Sequence, residues 1–233
     1  MLFRSKFNFP AAYIAAFKLP LFWTSLEETV EFSIGAALCA TIVGLLLSYS
    51  ALRNNTKNAR WSEYVSAVPL LIPGIIYTVG LFWTFLIVPG ADLIFGTVWP
   101  LLISLVFINL PQSTRIISGN LVQLSREIEE ASQITGSSWL RTVTRIVVPL
   151  IKVALANSFI FVFANSLREL GGVVILATPN TQSFTTLLLD LYNSQVAQFD
   201  TLAAGSLVLT GLIALALVAF FMSERYVLGR IRY

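Results

Sequence analysis

Apolar residues in this chain come in long blocks, with few of the polar interruptions that mark the outward face of a soluble helix or strand. Five blocks reach about 20 residues, the length that carries a helix across roughly 30 Å of hydrocarbon. They are residues 30–52, 65–88, 97–117, 147–167 and 202–222. A helix that is apolar all round needs apolar surroundings on every side, so each block is predicted to be a transmembrane helix. A sixth stretch, 9–23, is shorter, starts near Pro10 and contains Lys18 and Pro20, so it reads as an interfacial segment with aromatic anchors. The predicted fold class is an all-α polytopic membrane protein with five core spans. Residues 1–29 form an extracytoplasmic or interfacial segment, 30–222 the transmembrane domain with a loop at 118–149, and 223–233 a cytoplasmic tail.

Within the blocks, Pro69, Pro73, Gly74 and Gly80 interrupt the second and Pro111 the third. A proline frees a backbone carbonyl, which either kinks the helix for packing or faces a water-filled path. The sequence leaves both open. Ionisable residues stay near the ends (Glu31, Arg115, Lys152), and no Asp or Glu lies at mid-depth. Proton-coupled carriers need titratable stations there, so an ATP-independent secondary carrier is the weaker reading.

Composition sharpens this picture. Of 233 residues, 56% are hydrophobic and 12% charged, with a mean hydropathy of +0.79. An ordinary soluble domain carries about 25% charged residues. The absence of His and the single Cys39 exclude an internal disulfide, His-dependent triads and His-ligated metals, and no metal site is expected. No Gly-x4-Gly-Lys-Ser/Thr loop is present to cradle nucleotide phosphates. The net charge of +3 is not gathered into a polybasic tract, so nucleic acid is not an expected partner. The first residues show no leader layout, and the spans themselves are expected to direct insertion.

With five spans, the basic residues divide unequally. Arg53, Lys57, Arg60, Arg115, Arg126, Arg141, Arg145, Lys152, Arg225, Arg230 and Arg232 fall on one side, and Arg4, Lys6, Lys18 and Arg168 on the other. The positive-inside bias then places the C-terminus and the 118–149 loop in the cytoplasm and residues 168–201 outside. In that loop Ser125 is positioned to cap a helix whose first turns carry Glu127, Glu129 and Glu130. Gly136 is suited to the left-handed residue that ends it, and Ser137 or Ser138 to capping a second helix. That second helix is expected to turn Trp139, Leu140, Val143, Ile146 and Val147 to one side.

Glu130-Ala131-Ser132, Gly136, Ile146 and Pro149 resemble the EAA motif of binding-protein-dependent ABC importer permeases. Ser132 and Val148 replace an Ala and a Leu of that pattern. Pro69-Leu-Leu-Ile-Pro73-Gly74 and Asn109-Leu-Pro111 through Arg115 resemble other elements of the family. Arg168-Glu169-Leu170 is similar to its iron(III), thiamine and phosphonate branch. The resemblance implies a type I permease fold in a bacterial inner membrane, and no chemistry on the substrate. It implies two ATP-binding subunits that bring ATP and Mg, with no cofactor held by this chain. A second permease copy or homologous half and an extracytoplasmic solute-binding protein complete the set. Glu129, Glu130, Ala131 and Ser132 are implied as the ATPase-docking contact with Gly136 as the turn. Pro73, Gly74, Asn109, Asn165, Arg168 and Glu169 are the path candidates.

The family commonly has a further span ahead of Phe9, so the chain reads as a five-span permease, one half of a fused one, or a part of either. Iron(III) is the first expectation for cargo, with thiamine, phosphonate or polyamine as alternatives. A non-transport scaffold and an intramembrane enzyme are the remaining classes. The enzyme lacks a nucleophile and base pair.

Overall fold

The computed structural model describes residues 9–53, 59–178, 181–194 and 199–230. The described chain runs as helices α1 (Phe9–Phe17), α2 (Phe22–Arg53), α3 (Ala59–Ala67), α4 (Gly74–Ile87), α5 (Val98–Leu121) and α6 (Arg126–Ile134). Then follow α7 (Trp139–Thr142), α8 (Val148–Leu150), α9 (Lys152–Leu167), α10 (Val173–Leu176), α11 (Phe184–Asn193) and α12 (Phe199–Arg230). Among the described residues three helices are each long and apolar enough to cross a membrane: α2, α5 and the first 20 residues of α12.

The other two predicted spans are bent pairs, which corrects their reading as single helices. Tyr64–Leu71 and Gly74–Ile87 meet at 104°, and Trp139–Leu150 and Lys152–Leu167 at 77°. At the first break Ile72 is extended (φ −114°, ψ 122°), as the ring of Pro73 requires of the residue before it. The second falls at Ile151 (φ −101°, ψ 17°), one turn after Val143–Val147 form a wide π-helical turn. Pro149 offers no N–H to the carbonyl of Arg145 and its ring crowds that carbonyl, so the ladder opens there. The fourth span therefore starts at Lys152 and not at Val147.

Phe22–Arg53 is continuous across residue 30, and α12 runs past residue 222 to Arg230; residues 1–8 and 231–233 lie outside the described residues. The nine-residue α1 measures about 13 Å, too short to span. It packs on α12, with Ala12 and Ala16 buried against Phe22, Leu167, Phe184, Ala204 and Leu209.

The bundle is organised around α2, which has its largest contacts with α5 and α9. Its inward face is small or hydroxylic: Ser33, Ala36, Ala37, Ala40, Gly44 and Ser48 are buried. Its outward face carries Ile34, Leu38, Ile42 and Leu46, all exposed. That inversion suits a helix whose solvent is lipid, because small residues let backbones approach while bulky apolar ones meet hydrocarbon. Polar groups stitch the seam: Ser113 Oγ donates to the carbonyl of Ala40 (2.8 Å) and lies 2.7 Å from Ser158 Oγ. Ser48 Oγ donates to the carbonyl of Thr114 (3.1 Å).

Gly44 is the tightest point of the seam, since a Cβ there would sit 2.4 Å from Ser113 Oγ. We expect Gly44→Ala to lower stability by about 1–3 kcal/mol through overpacking. Gly211→Ala, where a Cβ meets nothing within 4 Å, should be neutral or mildly stabilising. Thermal unfolding in detergent micelles checks the pair; equal midpoints would mean that the seam tolerates separation.

Candidate functional site

Two polar constellations stand out. The first is the elbow formed by α6 and α7. Ser125 caps α6, its side chain accepting the N–H of Glu127 (3.3 Å). At the other end Gly136 has φ +85°, its N–H reaches the carbonyl of Gln133 (2.9 Å), and the N–H of Ser137 reaches that of Ser132 (3.2 Å). These paired bonds, closing around a left-handed glycine, satisfy carbonyls the helix leaves open. Ser138 takes the N-cap position of α7, but its side chain makes no capping bond.

Below the elbow lies a buried node. Glu129 is 4% exposed and accepts from Arg53 Nε (2.7 Å) and from the Tyr49 hydroxyl (2.6 Å). Arg53 Nη2 also donates to the carbonyls of Leu124 (2.9 Å) and Leu121 (3.3 Å), at the end of α5. Arg126 donates to the carbonyl of Leu52, and the Tyr49 ring meets Trp139 edge-on at 5.8 Å. One guanidinium thus joins the ends of α2, α5 and α6, and every charge it buries is hydrogen-bonded. Among the described residues this is the one ion pair.

The five implied docking residues separate accordingly. Glu129 turns inward and presents no carboxylate to a partner. Glu130, Ala131 and Gly136 are exposed, while Ser132 is half-buried with its hydroxyl 3.1 Å from that of Thr142, tying α6 to α7. Sequence reading missed Ile128, 44% exposed, and Ile134, 87% exposed, which share the open surface with Leu140, 62% exposed. The spacing of Ile128, Ala131 and Ile134 carried that signal, since residues three apart share a helix face. The one-sided arrangement expected for the second helix also changes. Val143 and Val147 are buried against Ile117, Leu121 and Tyr49, whereas Leu140 faces out, because the π turn rotates the register between them.

The second constellation lies halfway along α5 and at the end of α9. Asn109 is 1% exposed, donates to the carbonyl of Leu105 (2.8 Å) and accepts from Asn165 Nδ2 (2.7 Å). Arg168 Nε and Nη2 donate to Asn165 Oδ1 at 3.2 and 3.0 Å. Glu169 accepts the N–H of Gly172 (3.2 Å) and makes no pair with Arg168. Gly172 precedes α10, which buries Val173 and Leu176, and its missing Cβ leaves room for Thr78, Ser104 and Ile108, each 3.2 Å from where it would stand. A Cβ on Gly171 would lie 3.5 Å from Glu169 Oε1 and 3.7 Å from Ile75, next to the Pro73–Gly74 break. The path candidates therefore gather around the middle of α5 in two groups: an amide and guanidinium chain (Asn109, Asn165, Arg168), and Glu169 beside the α4 break. The helix α11 buries Phe184, Thr185, Thr186 and Leu187 and exposes its end at Asp190, Tyr192 and Asn193. Among the described residues no group of His, Cys, Asp and Glu stands together to hold a metal ion.

The family model described as binding-protein-dependent transport system inner membrane component matches residues 16–233. The ferric transport system permease protein FbpB of Actinobacillus pleuropneumoniae is 28% identical over 200 residues, covering 85% of this chain and 28% of that protein. The probable sulfate transport system permease protein cysT of Helicosporidium sp. subsp. Simulium jonesii is 27% identical over 199 residues, covering 79% and 71%. The chain thus spans little more than a quarter of that ferric relative. Among solved structures, a chain of a bacterial ABC transporter involved in the import of alginate superposes with a TM-score of 0.74 at 19% identity, covering 92% of this chain and 83% of that one. A chain of the inward-facing MetNI methionine ABC transporter gives 0.69 at 17% identity, covering 89% and 98%. The fold is that of a type I ABC importer permease.

The node predicts a graded response. Glu129→Ala or Arg53→Ala strands a buried charge and should cost about 3–5 kcal/mol. Tyr49→Phe removes one hydrogen bond to a charged group, worth about 1.5–3 kcal/mol, and Glu130→Ala should change little. Denaturant titration in micelles reads the order, and a Glu129→Ala variant as stable as Glu130→Ala would exclude the buried pair.

Proposed function

The chain belongs to the family of binding-protein-dependent transport system inner membrane components, and on that footing we propose that its elbow is where an ATP-binding subunit docks and pushes. It is an ABC transporter permease subunit. The observation that carries the proposal is the contrast between the two faces of α6. One face is pinned to α2 and α5 by Glu129 and Arg53; the other presents Ile128, Ala131 and Ile134 beside Glu130. An isoleucine 87% exposed on a charged loop is a surface built to be covered. Force applied to that face reaches α2 and α5 through the buried node and α9 through the 77° joint. Gly136 holds the angle of the turn with a φ costly for other residues.

In this reading two ATP-binding subunits supply ATP and Mg, and a second permease copy or homologous half completes the path. A solute-binding protein delivers cargo from the opposite side; a solved structure of like fold is a bacterial alginate ABC transporter in complex with an alginate pentasaccharide-bound periplasmic protein. The basic-residue bias supports a bacterial inner-membrane orientation with the elbow and the C-terminus in the cytoplasm. Iron(III) is the cargo we propose, supported by similarity to two ferric transport permeases. An oxyanion such as sulfate is the second reading. It is favoured by Arg168 heading the amide chain while Glu169 is occupied by the Gly172 N–H. Uptake of radiolabelled iron(III) against sulfate by the reconstituted complex with its binding protein separates them.

Docking is tested by Ile134→Asp, Glu130→Lys and Gly136→Val. Each should reduce coupled uptake and co-purification of the ATPase at least tenfold, a loss of about 1.4 kcal/mol or more, while the permease still inserts. Normal uptake by all three would refute it. Orientation is tested in a Cys39→Ser background: a cysteine at Ser138 should be protected from an impermeant thiol reagent in intact cells, and one at Tyr192 labelled. The reverse pattern would put the elbow beyond reach of a cytoplasmic ATPase.

A further inference from the structure

Neither constellation accounts for a cleft of about 290 Å³ between α2, α3 and α5. Its lining combines two chemistries. Leu47, Leu52 and Leu70 supply apolar wall, and Ser62, Ser118 and Arg115 supply polar groups, with no Asp or Glu among the described lining residues. Arg53, Arg126 and Arg168 all donate to acceptors within the chain, whereas the Arg115 side chain donates to none among the described residues.

The level of the cleft is marked by α3. Trp61 and Tyr64 are 66% and 63% exposed, with their rings edge-to-face at 6.2 Å. Exposed Trp and Tyr of this kind sit where hydrocarbon meets headgroups. Arg115 stands six residues before the end of α5 at Leu121, about 9 Å along the axis, so its long side chain is near enough to that end to reach toward the headgroups. The 104° bend turns the α3 segment away from the line of α4 and lays it over the cleft.

We propose that this cleft holds one anionic phospholipid, with its phosphate on the Arg115 guanidinium and its acyl chains along Leu47, Leu52 and Leu70. A free oxyanion would leave the leucine wall facing water. A zwitterionic lipid would bring an ammonium to described lining residues that offer it no carboxylate. The lipid fills the gap that separates α3 from α5 and so sets how closely the first half of the broken span lies on the bundle. The site itself is independent of the proposed function; only its assignment to the inner leaflet rests on the orientation argued there.

The test is native mass spectrometry of the full-length chain, released from micelles and titrated with phosphatidylglycerol, with phosphatidylcholine of the same acyl composition as control. The wild type should retain one phosphatidylglycerol in preference to phosphatidylcholine. Arg115→Gln should weaken retention at least about fivefold, Arg115→Lys should keep most of it, and Ala67→Phe, which fills the cleft and leaves the arginine in place, should lose it. Equal retention by wild type and both loss variants, or equal retention of the two lipids, overturns the proposal. Displacement of the lipid by millimolar sulfate or inorganic phosphate would overturn it in favour of a free oxyanion. Lipid retention does not depend on ATPase docking or on which side the elbow faces, so this result and the labelling result fail separately.

Discussion

Helices in a bilayer gain nothing by hiding apolar surface from one another, because lipid is as apolar as a leucine side chain. They associate where backbones approach closely and where buried polar groups find partners. In this chain that constraint is met along one stripe of α2, from Ala36 through Ala40 and Gly44 to Ser48. Ser113 of α5 and Ser158 of α9 close on it through hydroxyl contacts. The bent pairs hang from this three-helix contact: α3 lies on α2, and α10 is inserted between α4 and α5.

The inner end of the same helix carries a different device. Arg53 terminates α2 and is held by Glu129 of the elbow and by carbonyls at the end of α5. A buried ion pair contributes little net stability, since desolvation offsets most of the attraction, but breaking one is expensive. Such a contact resists separation of the pieces it joins. That property suits a lever: the outer face of α6 is free to meet a partner while its inner face cannot slide without disturbing α2 and α5. The amide chain has a comparable logic: buried Asn109 is held by half-buried Asn165, and that by exposed Arg168 at the end of α9.

Much of the elbow was legible because its signals are local. A serine cap, early carboxylates and a left-handed glycine are set by a few neighbouring residues, and the structure has Ser125 and Gly136 in those roles. The division between Glu129 and Glu130 was not legible. Adjacent helical positions point about 100° apart, and which of two glutamates turns inward depends on where Arg53 stands, 76 residues earlier in the chain. The breaks show the same limit. Pro73 announced a disruption and Pro149 was read only as part of the motif; the size of each bend follows from what packs on either side, so both spans read as single helices.

The sequence alone determined the solvent of this protein, its helical class, the approximate number of crossings and the position of the elbow, because hydrophobic length, capping chemistry and motif spacing act over one or two turns. The tertiary structure decided which face of α2 is interior, which elbow glutamate is buried, where two of the spans turn, and that Asn109, Asn165 and Arg168 form one chain. Those outcomes depend on contacts between residues far apart in sequence. Nothing in a local window encodes the distance between a guanidinium at the end of one helix and a carboxylate four helices further on.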